Sequence, residues 1–483
     1  MRLSRSCTKG SILVWTILMI AVLSLVAAQV MDVVTLKYQN ALQTSTWQES
    51  LVAAESGIDL AIMELRKTLY PAPNHAWEGW TNTPGDGVAS YGLSVIPNAG
   101  LAGTSMTIET TVDAPAQLKD QTNSWQYYRV RATGTMPLTG PPRITGNKQD
   151  THLRKLSLRS ERFTNGILLP HDLSESEVPH ASRRIEAIVR PVSAFELAIM
   201  SLGTLDLTNQ DIVIDSYDSR DPAKSTLGLY DVAKRQANGD IGTNGQLLAA
   251  GNAHVYGDVA TNSGTVSGTA NITGVERTDF YQEPIPVSAP SWPSINPSPA
   301  TVNGNVTLNA NAVQGSWQSR YTLSQISISG GQTLNLAGHP NGTPTYVEIN
   351  VIGNVLVGGT SQIVLGPGVK ATIYFAGNVN IQGNGMVNSN NQPGDLQMFG
   401  IQPPGNSTQT VVLGGNGQLT AAVYAPGADI SVNGGGSHGH IYGSFVGKTV
   451  LMNGVTNLHY DEALAASGPI HNYKIVSWFE DTR

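Results

Sequence analysis

The chain has 483 residues, one cysteine, a formal net charge of −7 and only 13% charged side chains, about half the usual globular share. So few and so scattered Lys and Arg exclude a phosphate-tracking nucleic-acid surface. The lone Cys7 excludes a disulfide scaffold, a thiolate metal site and a cysteine nucleophile. The length allows two or three domains with their own cores, and 51 glycines among many Asn, Thr and Val suit an extended all-β body.

Residues 1–10 form a short basic leader carrying Arg2, Arg5 and Lys9. The run SILVWTILMIAVLSLVAAQVM follows from Ser11, and no charge appears until Asp32. About 20 apolar residues suffice for a helix to cross a bilayer, with the basic flank kept inside. Leu51, Ala54, Ile58, Ala61, Ile62, Leu65 and Leu69 then recur at three- and four-residue steps, with Glu55, Asp59, Glu64 and Lys67 elsewhere on the wheel. Between positions 11 and 70 there is no proline and one glycine, Gly57, and Pro71 and Pro73 stop the pattern. The spacing predicts one helix over 11–75, half in lipid and half projecting, roughly 90 Å long if unbroken. An ordinary signal peptide cut after Ala28, with Gln29 as the new terminus, is the competing reading of the first thirty residues.

A basic leader ending in Gly10, an apolar helix and an amphipathic stretch ending LVAAESGIDLAIMEL resemble the type IV pilins. In particular they resemble the minor pilins with a PilX-like N-terminal region. The resemblance implies cleavage by a prepilin peptidase between Gly10 and Ser11, and retention of the helix in the bacterial inner membrane before assembly. It then implies a place in a filament in the periplasm or at the cell surface. The implied partners are other pilins, pilus or secretion assembly proteins, the peptidase and inner-membrane lipid; no nucleic acid and no cofactor is expected. Major pilins carry Glu at the fifth mature position, where this chain has Trp15, which implies an accessory subunit rather than the repeating one.

Residues 76–194 read as a small β-rich domain, with SYGLSVIP, SMTIETTVD, WQYYRVRATGTM, KLSLR and RRIEAIVRP as strands and NTPGDG as a break between them. The tryptophans Trp77, Trp80 and Trp125 are expected to pack in its core, and the basic run Lys148, Arg154, Lys155, Arg159 and Arg162 to form a solvated face. Over 195–466 the theme is three to six alternating apolar positions and a Gly or Asn turn. Between Gly330 and Val455 about one residue in five is glycine and five are charged. Val, Ile and Leu suit inward positions, and Gly or Asn suits corners. The expected fold class is therefore mainly β with a long N-terminal α-helix: a pilin-like helix and small sheet, then a parallel β-helix-like solenoid. A Pro-rich insert at 284–299, with Trp292, reads as a strap, and 467–483 as a C-terminal tail. DIGTNG at 240–245, GDVATN from Gly257 and VTNLHYDEAL at 455–464 resemble an uncharacterised β-rich domain found behind PilX-type N-termini.

Catalytic candidates are thin. Asp395, Asp429, Lys370, His438 and His440 are too far apart in sequence to place together for acid–base work. His438 and His440 alternate on a strand, and a metal there would need His459 or Asp461 as further ligands. GGSHG around Ser437, GSFVGKT from Gly443 and GGNGQ from Gly414 imitate a nucleophile elbow, a phosphate loop and a calcium repeat. Each lacks its required helix or aspartate. The chain is accordingly expected not to be an enzyme, with no catalytic residue and no metal. The alternatives are a secreted β-helix adhesin and a membrane-anchored carbohydrate-active β-helix enzyme.

Overall fold

A computed structural model describes residues 9–70, 73–85, 88–95, 106–119, 125–137, 180–208, 212–268, 271–291, 301–309, 311–313, 316–339, 345–401, 408–415, 419–433, 439–454 and 456–481. They are mainly β, with one long N-terminal helix. Helix α1 (Lys9–Lys67) runs 59 residues without a break, about 88 Å at 1.5 Å per residue. Arg66 and Lys67 in its last turn complement the helix dipole, and the backbone amides of Leu69 and Tyr70 close the end on Arg66 and Lys67.

The C-terminal half of α1 lies on an antiparallel sheet formed by β1 (Thr81–Gly85), β2 (Val88–Val95), β3 (Thr107–Asp113), β4 (Tyr128–Pro137) and β5 (His180–Ser193). NTPG, the first four residues of the expected break NTPGDG, lies in β1, which pairs antiparallel with β2; Asp86 and Gly87 lie outside the described residues. In β3 the side chains alternate, with Ile108, Thr110 and Val112 buried, as a strand with one covered face requires. Ala54, Ile58, Ala61, Ile62 and Leu65 of the helix meet Val112, Val130, Ala132, Ile185, Ala187 and Val189 of the sheet in one core. The sixth strand is unexpected: Ile470–Asp481, read from sequence as a tail, pairs antiparallel with β5. Tyr473 completes the helix-facing core, edge-on to Tyr128 at 5.6 Å between ring centres, and Glu480 pairs with Arg183. KLSLR and the basic run lie outside the described residues.

The second core begins at Ala194 and is built by parallel strands in stacked tiers. One column shows the construction. Val302, Ile326, Val355, Val379, Val411, Ile430, Val450, Leu205, Leu248 and Val266 pair in sequence across neighbouring strands. All but the terminal Val266 are buried. At about 4.8 Å per step the column is about 43 Å tall. A parallel column runs beside it through Val306, Leu334, Ile363 and Met386.

Chain order and stacking order differ. The strands from Ile199–Ser201 to Glu276–Arg277 form one run, and those from Thr301–Val302 to Thr456–Asp461 form another. The second run starts at the far end and returns, so its last strands dock on the first strands of the first run: Val450 pairs with Leu205, Phe445 with Ile199 and Leu458 with Ile214. Residues 281–291, without regular structure, lead from the first run toward the second. Steps along the column span 29 positions from Ile326 to Val355 but only 20 from Ile430 to Val450. The spacing in sequence between successive paired positions is therefore irregular, although each step is one parallel pairing.

Candidate functional site

Two features could carry function: the helix with its seat, and a polar cluster on the body. Along α1 every large apolar side chain from Leu13 to Leu36 is exposed, Trp15 among them at 64%. By length and composition this stretch can cross a membrane, a test that a signal sequence also passes. Gly10 and Ser11 lie in the first turns of α1, whereas residues 1–8 lie outside the described residues.

Below the exposed stretch, small residues let helix and sheet approach closely. A Cβ at Gly57 would meet Thr110 Oγ1 at 2.4 Å and Ala132 Cβ at 2.8 Å. A Cβ at Gly134 on β4 would meet the Ser50 carbonyl oxygen at 2.1 Å and the Ala54 nitrogen at 2.6 Å. The AAESG element is therefore, physically, the flat patch of helix on which the sheet rests. Glu64, placed by the helical wheel away from the core, is buried instead. Its Oε2 accepts from the Trp77 backbone N–H at 2.6 Å, and its Oε1 pairs with Lys67 at 2.6 Å. Trp77 and Trp80 stand edge to face at 5.3 Å, half-buried against the same core, as expected of packing residues.

The 281–291 segment clamps helix, C-terminal strand and body together. The Asn244 side chain bonds both the backbone N–H and the carbonyl of Gln282, at 2.9 and 2.8 Å, and the Gln282 side chain reaches His471 at 2.5 Å. The Tyr424 hydroxyl bonds the N–H and carbonyl of Ile285, each at 2.9 Å. Burial lowers the pKa of His471 below the ordinary histidine range. Burial, reinforced by a hydrogen bond to Glu283, raises that of Tyr70 at the helix end. A cavity of about 170 Å³ beside this clamp is lined by Ile285, Tyr374, Phe399, Tyr424 and His471, among others.

The polar cluster sits where the two runs of strands join. Ile441, Leu458 and Ile214 point into the core, so their neighbours point out; Tyr442, His459 and Asp215 stand in register on adjacent strands. His459 Nδ1 lies 2.6 Å from Asp215 Oδ1, and its Nε2 lies 2.9 Å from His440 Nδ1. The Tyr230 hydroxyl donates to Asp215 Oδ2 at 2.7 Å, and its ring stacks on His459 at 3.7 Å. Asp215 and His459 are fully covered. Burial, then the bond to Asp215, pushes the Tyr230 phenol well up.

The structure thus joins His440 to His459, as the sequence allowed, but Asp461 turns elsewhere and accepts from the backbone of Ser219 and Ala463. Burial raises its pKa. Lys370 pairs with Asp395 at 3.2 Å, while Asp429 holds the Thr449 hydroxyl at 2.8 Å, so these candidates do not converge. His438 and Ser437 lie outside the described residues. GSFVGKT lies within a single strand, Gly439–Asn453, and no group of three His, Cys, Asp or Glu suited to a metal occurs among the described residues. Sequence reasoning missed Asp215 and Tyr230; the only signal was the alternation of DIVIDSY around the buried Ile212 and Ile214.

Residues 300–467 match a family described as Domain of unknown function (DUF7305). No curated protein and no solved structure matches the chain. The matched stretch coincides with the second run of strands, ending after the short helix at Glu462–Ala466.

Proposed function

We propose that this chain is a membrane-anchored, pilin-like accessory subunit of a type IV pilus or related secretion filament. It holds out a large parallel β-helix-like body for assembly or adhesion. The observation that carries this reading is the single helix that leaves its first half apolar and exposed while its second half is seated on a small antiparallel sheet through AAESG. A cleaved signal has no reason to continue in helical register into a packed core.

The tiered parallel columns support the β-helix-like reading of the body, because each tier places a buried Val, Ile or Leu over the one below. The exposed Trp15 supports accessory status. A carboxylate at that position would need a neighbour's charge to be tolerated in lipid, whereas Trp is at home near the membrane interface.

Shear fractionation tests the proposal. The chain should leave cells with sheared filaments in amounts well below the major subunit, and should stay in the membrane fraction when the prepilin peptidase is deleted. Recovery in the culture supernatant independent of filaments would favour the secreted-adhesin reading instead.

A further inference from the structure

The last strand, Ile470–Asp481, lies at one edge of the six-stranded sheet, and β5 is its only strand partner among the described residues. Gln282 of the 281–291 segment reaches its head at His471, and Tyr473 is its one buried contribution to the helix-facing core. Beyond Tyr473 the character changes. Ile475, Val476, Trp478 and Phe479 are 39%, 46%, 46% and 49% exposed, and no charge or proline interrupts positions 475–479. A register shift leaves Val476 without a partner on β5, and pairing is regular again over Ser477–Asp481. Natural sheets blunt a free edge of this kind with charge, proline or a cover.

The register shows which way these side chains point. Trp478 stands opposite Ala187 and Ile475 opposite Val189, both of which pack under α1. Phe479 stands opposite Glu186, whose carboxylate pairs with Arg131 on the other face. The two exposed aromatics thus lie on opposite faces of one strand. A partner docked on either face covers one of them and leaves the other in water. A segment added along the edge brings its own alternating side chains beside both, while its backbone pairs with the outward N–H and C=O groups.

The direction of α1 decides against a second copy. Gly134, paired with Arg183 near the start of β5, lies against Ser50 and Ala54. Asn472, paired with Val192 near the end of β5, accepts from Arg66. Helix α1 therefore runs along β5 in the same direction. Antiparallel pairing of two identical edges relates the copies by a twofold axis normal to the sheet, which reverses α1 and sends the two membrane halves opposite ways.

We propose that the edge at Ser477–Asp481 receives an extended segment of a different filament subunit as a seventh strand. That segment carries large apolar side chains on both of its faces, to meet Trp478 on one and Phe479 on the other. The inference rests on the filament reading and gives the last strand the task of joining this chain to its neighbour.

Hydrogen exchange compares the full-length chain extracted in detergent with the same chain in sheared filaments. The amides of Ser477–Asp481 that point away from β5 should exchange without protection in the extracted protein and slow by about tenfold or more in filaments. The double variant Trp478→Thr, Phe479→Thr keeps strand-forming residues and should cut the share of the chain recovered in filaments by about tenfold, with exchange of the β4 amides unchanged. If β4 protection falls in that variant, exchange in wild-type filaments decides alone. Fast outward amides in filaments, or full recovery of a folded variant, overturn the proposal. So does protection of these amides already in the extracted protein, since a second copy or the chain itself would then hold the edge. Absence of the wild-type chain from sheared filaments overturns the filament reading and this inference together, whereas its presence with fast outward amides overturns this inference alone.

Discussion

Gly134→Ala probes the seat of the helix most sharply. The added methyl would stand 2.1 Å from the Ser50 carbonyl oxygen, 2.6 Å from the Ala54 nitrogen and 2.7 Å from Ala53 Cβ. Two of these are helix backbone, and ordinary contact begins near 3.4 Å, so helix and sheet must separate by about 1 Å. Overpacking of this kind costs about 1–3 kcal/mol. Because the separation also loosens the neighbouring Ala54, Ile58 and Ala61 contacts, we expect about 3 kcal/mol. Gly57→Ala is the internal comparison. Its methyl meets Thr110 Oγ1 and Ile108 Cγ2, which can turn about χ1, and Ala132 Cβ at 2.8 Å, which is fixed to the strand. Overpacking is partly offset by the about 1 kcal/mol that replacing a helical glycine returns, so its net cost should be about 1–2 kcal/mol and below that of Gly134→Ala. Native-state hydrogen exchange of the β4 amides measures local opening directly. Gly134→Ala within about 0.5 kcal/mol of wild type, or no worse than Gly57→Ala, would refute the close-approach account.

Three further outcomes are expected. Glu64→Ala removes the buried acceptor of the Trp77 N–H and the partner of Lys67; it should cost about 1–3 kcal/mol, read as a drop in the melting midpoint by tryptophan fluorescence. Leu205→Ala opens a cavity where the two runs of strands meet and should cost about 2–5 kcal/mol, with exchange protection lost on both neighbours, Leu247–Gly251 and Gly439–Asn453. His471, with its pKa lowered by burial, takes up a proton more readily when the clamp opens. Stability there should be full above about pH 6.5 and decline as pH falls below it, and His471→Gln should flatten that decline in exchange of Ile470–Asp481.

The helix was legible because its signals are local: a three- and four-residue apolar rhythm, a single glycine and a proline stop. Its buried face matches the periodic residues Ala54, Ile58, Ala61, Ile62 and Leu65. Glu64 escaped because the partner that buries it, the Trp77 backbone, belongs to a turn that no periodicity marks. The β content of the body was legible from alternation and glycine corners. The docking of Val450 on Leu205 was not, since parallel neighbours 245 positions apart leave no local trace. Ile470–Asp481 was misread for the same reason: its partner β5 lies nearly three hundred positions earlier. His440 and His459 could be paired on paper, but Asp215, more than two hundred positions away, enters only through the joint between the runs.

The central claim concerns the anchor, and the mass of the mature N-terminus tests it most directly. Intact-mass and N-terminal peptide analysis of protein extracted from the membranes of its own cells should find Ser11 as the first residue, with Gly10→Val leaving the leader attached. A mature chain beginning at Gln29 would contradict the account, because the helix would then have lost the membrane half that the reading requires.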